Sequence, residues 1–432
     1  MEYLDVLRYL YHKKPMGRIK PGLERIRLLL SRLGNPHLNY ETIHVAGTNG
    51  KGSVTNMISH VLTAQGYRVG AYYSPHLSTF RERIRLNEGY ISEKDVVEIF
   101  QEIEPVLNEL DRDEIFSPSF FETVTAMAFL YFAKKSVDFA VLEVGLGGRL
   151  DATNVVKPLC SVIVTVDKDH EKVLGKTMEQ IAWEKSGIIK EYIPTVTGEN
   201  KEEALKVIED IARNKRSKLY VLNKDFSVKV KQLKIFENKF DYFGDKEMKD
   251  LILKMNGYHQ IKNAAVALKA LEASGISVSE RAVREGLKKA KNIGRFEVLE
   301  KDGKTFVLDG AHNPHGAKSL VESLKMYFKG RPLDLIVGIL DDKDREGILK
   351  NYTGIFRKVI LTRVPSSRMK DFDGLVEIAK KIFNNPEIIE DPFEALEETN
   401  EDSVTVVTGS LFLVGYVREY LVEGKISEEW NV

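Results

Sequence analysis

Gly47-Thr48-Asn49-Gly50-Lys51-Gly52-Ser53 brings glycines, a lysine and a hydroxyl together directly after the apolar run Thr42-Ile43-His44-Val45-Ala46. A strand feeding a glycine-rich turn, with a helix expected from the lysine to about Ala64, is a way to hold a nucleotide triphosphate. Backbone N–H groups of the turn and helix start can point at phosphate oxygens. Lys51 adds a mobile positive charge, and Ser53 can offer its hydroxyl to a magnesium ion. The spacing departs from the usual phosphate loop, in which four residues separate the first glycine from Gly-Lys-Ser/Thr. Here only Thr48 and Asn49 lie between Gly47 and Gly50, and Gly52 intervenes between Lys51 and Ser53. A structural glycine turn would carry some of these residues too, but glycines flanking a lysine are costly at a helix start. The backbone must therefore approach something closely.

Other chemistry-bearing residues share that address. Phe139-Ala140-Val141-Leu142 delivers Glu143 at the end of an apolar strand, where a carboxylate is expensive without a cation or hydrogen-bond donors. Ser161-Val162-Ile163-Val164-Thr165-Val166 reads as a strand ending near Asp169-His170. Strand ends of one parallel sheet face one crevice. Ser53, Glu143 and His170 then form a hydroxyl, carboxylate and imidazole set suited to a hard divalent ion beside a triphosphate. Asp309-Gly310-Ala311-His312-Asn313-Pro314 follows another apolar run. Asp309 and His312 could close over the nucleotide from a second domain, although an ordinary Asp-Gly turn would look the same. Arg81-Glu82-Arg83-Ile84-Arg85, just after Ser74-Pro75-His76-Leu77, is either an anion-binding stretch or a solvated charge run.

These residues require an alternating scaffold. The chain has 432 residues, with 64 basic and 64 acidic side chains. That length points to two domains. The balanced charge gives no global field for nucleic acid or an anionic membrane. Cys160 is the only cysteine, which excludes intramolecular disulfides and thiolate clusters within one chain. Met1-Glu2-Tyr3-Leu4-Asp5 lacks a signal-peptide pattern, and no apolar run is long enough for a bilayer; a cytoplasmic setting is expected. The expected fold is α/β, in two domains. Residues 1–294 form a P-loop mononucleotide-binding domain with a mostly parallel sheet. Residues 295–432 form a smaller Rossmann-like α/β domain, with a hinge at 292–297.

Taken together, the motifs resemble the folylpolyglutamate synthase/dihydrofolate synthase family within the Mur-type ATP-dependent amide ligases. The set comprises His44 through Ser53, Ser74-Pro75-His76-Leu77, Glu82-Arg83-Ile84, Glu143 through Asn154, Asp169-His170, Glu184 through Lys190 and Asp309 through Pro314. It covers essentially the whole chain. The resemblance implies two magnesium ions: Ser53 and Glu143 would hold one, and Glu143, His170 and Lys185 the other. Lys185 would carry a carbamate derived from carbon dioxide, which turns a cation into an anion. Gly47, Thr48, Asn49, Gly50, Lys51, Gly52 and Ser53 would bind ATP, with Asn263 near the adenine, Arg295 against the phosphates, Asp309 at the ribose or phosphate edge and His312 close to the phosphates. Lys51, Glu143, His170 and Lys185 would be the catalytic set. Pro75, His76, Arg83, Arg149 and Asp151 would meet the folate.

The implied reaction ligates L-glutamate to a folate, or to dihydropteroate, through an acyl phosphate, with the chain acting as a monomer. A Mur-type cell-wall peptide ligase and a nucleotide-binding regulator without ligase chemistry are the alternatives. About 40 residues precede the glycine-rich turn, which leaves little room for a sugar-nucleotide domain there.

Overall fold

The computed structural model describes residues 1–14, 21–168 and 171–432. Three sheets organise them. The first has eight strands: β1 (Glu41–Ala46), β2 (Val69–Tyr72), β3 (Ile84–Leu86), β4 (Gly89–Tyr90), β5 (Phe139–Glu143), β6 (Cys160–Ile163), β7 (Thr195–Thr197) and β8 (Leu219–Val221). Their spatial order is β4-β3-β2-β5-β1-β6-β7-β8. The run from β2 to β8 is parallel, and β3 and β4 add antiparallel edge strands.

Alternation along the central strands feeds two helical layers. Val141 of β5 enters one core with Ile43 and Val45 of β1, beneath the helices Lys51–Gln65, Tyr258–Ser274 and Glu280–Lys289. Ala140 and Leu142 enter the opposite core, beneath Glu93–Leu110 and Phe120–Lys134. Phe120, Thr123, Met127 and Leu130 of the latter helix are buried, but so is every position from Glu122 to Phe132. Sheet and neighbouring helices enclose it, so its apolar character is not confined to one stripe. Ser119 caps it through the Glu122 N–H.

A three-stranded antiparallel sheet follows, from β9 (Ser227–Gln232), β10 (Asn238–Phe243) and β11 (Glu247–Leu253). The third sheet comprises β12 (Glu297–Lys301), β13 (Lys304–Asp309), β14 (Leu333–Val337), β15 (Lys358–Leu361), β16 (Glu387–Ile388) and β17 (Val404–Thr408). Its order is β12-β13-β17-β14-β15-β16, parallel except for the β12–β13 hairpin. Helices Pro314–Tyr327 and Leu411–Glu423 help bury its apolar residues. Leu77, from the loop after β2, inserts into this core. Among the described residues, no helix is long and apolar enough to cross a membrane.

The strand expected over 161–166 stops at Ile163. Beyond it the backbone holds the glycine-rich turn instead of extending the ladder. Thr48 donates its N–H to the Thr165 carbonyl at 2.8 Å, and Asn49 donates its N–H to the Thr165 hydroxyl at 3.1 Å.

Candidate active site

Strand order assembles the site. β1 lies between β5 and β6, with Val45 opposite Glu143. The turn after β1, the end of β5 and the loop after β2 therefore open side by side. Gly50 caps the helix Lys51–Gln65 at φ 84°. A side chain there would bring Cβ within 2.8 Å of both Asn263 Oδ1 and Val164 Cγ1. This is the close approach expected from the glycine content. Lys51 Nζ donates to the Gly47 carbonyl at 3.1 Å and to that of Thr48 at 3.3 Å, so its charge sits over the turn.

Glu143 is buried, and its Oε2 accepts the Ser74 N–H at 3.1 Å. Burial pushes its carboxyl pKa up, opposed chiefly by the Lys51 charge. Ser53 is also buried, and its hydroxyl accepts the Asn292 side-chain amide at 2.7 Å. Lys185 is buried on the helix Met178–Ser186 and lines the same cavity. His170 lies outside the described residues. Among the described residues, no group of three or more His, Cys, Asp or Glu forms a ready metal cluster.

The third sheet supplies the facing wall. Asp309 ends β13, accepts the N–H groups of Phe296 at 2.8 Å and Ala311 at 2.9 Å, and is raised in pKa by burial. Arg295 reaches the Gly310 carbonyl at 3.2 Å, and His312 Nδ1 lies 2.8 Å from that carbonyl. Asn49 bridges the walls: its Nδ2 is 3.0 Å from His315 Nδ1, and its Oδ1 accepts from Asn313 at 3.4 Å. Gly47 through Ser53, Glu143, Lys185, Asn263, Arg295, Asp309 and His312 all line one cavity.

The loop after β2 forms another side. Pro75 and His76 line the cavity, and the Ser74–Pro75 peptide is cis. Arg83 is buried behind them, donating to His76 Nδ1 at 2.8 Å and lying 5.3 Å from the Phe120 ring centroid. Burial and the Arg83 charge hold His76 well below the usual imidazole pKa.

The chain matches the model of the Mur ligase middle domain over residues 45–271 and that of the Mur ligase, glutamate ligase domain over residues 294–411. These spans coincide with the regions bearing the first two sheets and the third. The dihydrofolate synthase/folylpolyglutamate synthase of Bacillus subtilis is 35% identical over 97% of this chain and 99% of its own length. The chain belongs to the folylpolyglutamate synthase family of Mur ligases. The crystal structure of folylpolyglutamate synthase from Thermotoga maritima is 70% identical, with a TM-score of 0.91 over 100% of this chain and 99% of that one. The Mycobacterium tuberculosis folylpolyglutamate synthase complexed with ADP and AMPPCP is 32% identical, with a TM-score of 0.91 over 98% and 99% of the two chains.

In this member of the folylpolyglutamate synthase family, the turn after β5 supports the site from behind. Arg149 pairs with Glu184 at 2.9 Å and lies 4.5 Å from the Trp183 ring centroid. Asp151 accepts the N–H groups of Gly145 at 3.0 Å and Leu146 at 2.9 Å, shaping the turn that lines the cavity. Neither side chain is part of the lining. Asn292, His259 and His315, which carry no motif of their own, also line the cavity, as do Glu82 and Arg85 of the candidate anion-binding stretch. His315 directly follows Asn313-Pro314, so proximity was its available signal. His259 is half-buried, and desolvation, then His315 and nearby cations, lower its imidazole pKa to about 4.

Proposed function

We propose that this protein ligates L-glutamate to the carboxylate of a folate, consuming ATP and releasing ADP and phosphate. The reading rests on one observation: the glycine-rich turn, Glu143 and the Asp309–His312 turn converge on a cavity that the Ser74–Leu77 loop also lines. Family membership and the activities in the relatives' names support it. A carboxylate is a poor acyl donor because its leaving group would be oxide. Transfer of the γ-phosphoryl group of ATP onto a carboxylate oxygen makes an acyl phosphate. The glutamate amine then attacks the carbonyl carbon, the carbonyl–oxygen bond to phosphate breaks, and the amine proton leaves.

The chain's task is positioning and charge stabilisation. In this reading Gly47 through Ser53 cradle the phosphates, and Lys51 stabilises charge on the transferring group. Asn263 meets the adenine, Arg295 and His312 the phosphates, and Asp309 the ribose or phosphate edge. Pro75 and His76 meet the folate directly. Arg83 acts through His76, while Arg149 and Asp151 hold the adjoining turn. The P-loop domain spans 1–294, and the Rossmann-like domain spans 295–432. Closure between them excludes water that would hydrolyse the acyl phosphate.

Ser53 and Glu143 fit a hard divalent ion, being buried oxygen donors on the same cavity wall. A magnesium ion there would screen phosphate charge. A second would fit Glu143 and His170 if Lys185 were carbamylated. The protein would work as a cytoplasmic monomer.

The same chemistry extends to dihydropteroate, as the double names of relatives such as the Bacillus subtilis protein support. Steady-state assays with tetrahydrofolate and dihydropteroate, each with ATP and glutamate, separate the activities. Glutamate-dependent ADP release is expected with both. Release with tetrahydrofolate alone rejects the second activity; release with neither rejects the ligase reading.

A further inference from the structure

One carboxylate far along the chain is built into the loop that carries His76 and Arg83. Glu429, in the turn Glu428–Asn431, accepts the Thr79 hydroxyl at 2.7 Å and the Tyr3 hydroxyl at 3.0 Å on Oε1. Its Oε2 accepts the Phe80 N–H at 2.9 Å. Thr79 in turn accepts the Arg81 N–H at 3.3 Å, capping the short helix Phe80–Arg83. Glu429 therefore fixes the hydroxyl that starts the turn leading to Arg83, and Arg83 orients His76 on the cavity wall.

The turn bearing Glu429 is itself anchored to the helix Leu411–Glu423. Glu419 accepts the Ser427 N–H at 2.8 Å and the Trp430 indole N–H at 2.6 Å. The Trp430 ring packs edge-on against Tyr416 at 5.1 Å. On the other side of the loop, Leu77 enters the third-sheet core and Ser78 donates to the Gly415 carbonyl at 3.2 Å. The loop is thus held at both ends by elements of the third-sheet region. A charged acceptor with three donors gives stronger restraint than neutral loop contacts.

We propose that Glu429 is a positioning residue for the acceptor-substrate side of the site, setting the His76–Arg83 loop from the third-sheet region; this rests on the folate-ligase reading above. The test compares wild type, Glu429→Ala, Glu429→Gln and Tyr3→Phe by kinetics in all three substrates and by hydrogen exchange of the Ser78–Arg83 amides. Glu429→Ala is expected to raise the KM for tetrahydrofolate about tenfold. Its kcat and KM for ATP should stay within about twofold, and the loop amides should exchange faster. Glutamine keeps an acceptor for the hydroxyls but loses the one facing Phe80, so its values should fall between. Tyr3→Phe removes a donor outside the loop and should match wild type in both measurements. Lower thermal stability of Glu429→Ala with unchanged folate KM and loop exchange would overturn the proposal, as would an equal change in KM for every substrate. Wild-type protein inactive toward folates would reject the proposed function instead. The exchange comparison would then decide alone: faster exchange supports the clasp, and unchanged exchange overturns it.

Discussion

Asn292 donates its side-chain amide to the Ser53 hydroxyl at 2.7 Å, tying the segment between the sheets to the start of the helix Lys51–Gln65. Lys291 adds an N–H to the Asn56 side chain at 3.1 Å, and Arg295 follows four residues later. Asn292→Ala should therefore loosen the approach of Arg295 to the nucleotide. The expected result is a KM for ATP raised about fivefold, the scale of one net hydrogen bond, with the folate KM unchanged. Substrate-saturation curves for each reactant check it.

Glu143 should trade stability for function. Its carboxyl is raised by burial despite Lys51, the Ser74 N–H and the nearby arginines. A carboxyl raised in the folded state contributes stability that is fully present below its unfolded pKa and lost as pH rises through the folded value. At neutral pH, the ion is thus a net cost to the ligand-free fold. Glu143→Gln is expected to melt higher than wild type at pH 7, with the difference vanishing near pH 4, while turnover falls at least about 100-fold. Melting curves across that range, paired with ADP-release rates, give both halves.

Gly50→Ala should fail for a steric reason. The backbone is left-handed at φ 84°, and the added methyl would meet Asn263 and Val164 at 2.8 Å. A destabilisation of about 1–3 kcal/mol is expected, with weakened nucleotide binding because Asn263 is displaced. Chemical denaturation and nucleotide titration measure the two effects.

Lys185→Ala should remove most turnover while leaving the fold intact, with partial rescue by a short added carboxylate such as acetate. In the unmodified state an ammonium at this buried position would repel a metal ion. Enriched bicarbonate should give wild-type protein a carbamate carbon signal in NMR that Lys185→Ala lacks. Near-full activity of the unrescued variant would remove the carbamate from the account.

The parts of the site that were legible in the sequence are strand ends. β1 and β5 are apolar runs stopped by glycine turns, so Gly47 through Ser53 and Glu143 could be assigned to one crevice before any coordinates. β6 ends before the apolar run does, because Thr165, between the strand-like Val164 and Val166, spends its backbone carbonyl and hydroxyl on the turn. β10 and β12 carry a weaker sequence signal, because Asn238-Lys239-Phe240-Asp241 and Glu297-Val298-Leu299-Glu300 mix polar and charged residues with apolar ones. Asn292 and Glu429 had no local signal, because their partners Ser53 and Thr79 are 239 and 350 residues away. Arg149 and Asp151 illustrate the converse. A motif marked the right turn, but only packing distinguishes a side chain in the cavity from one bracing its wall.

The central claim is activation of a carboxylate by phosphoryl transfer, and an oxygen label follows it atom by atom. Tetrahydrofolate labelled with oxygen-18 in its reacting carboxylate is incubated with ATP, glutamate and the protein, and the released phosphate is analysed by mass spectrometry. One labelled oxygen should appear per phosphate, because the acyl phosphate breaks between carbonyl carbon and the bridging oxygen. Unlabelled phosphate, formed at the same rate as the amide product, would contradict the account.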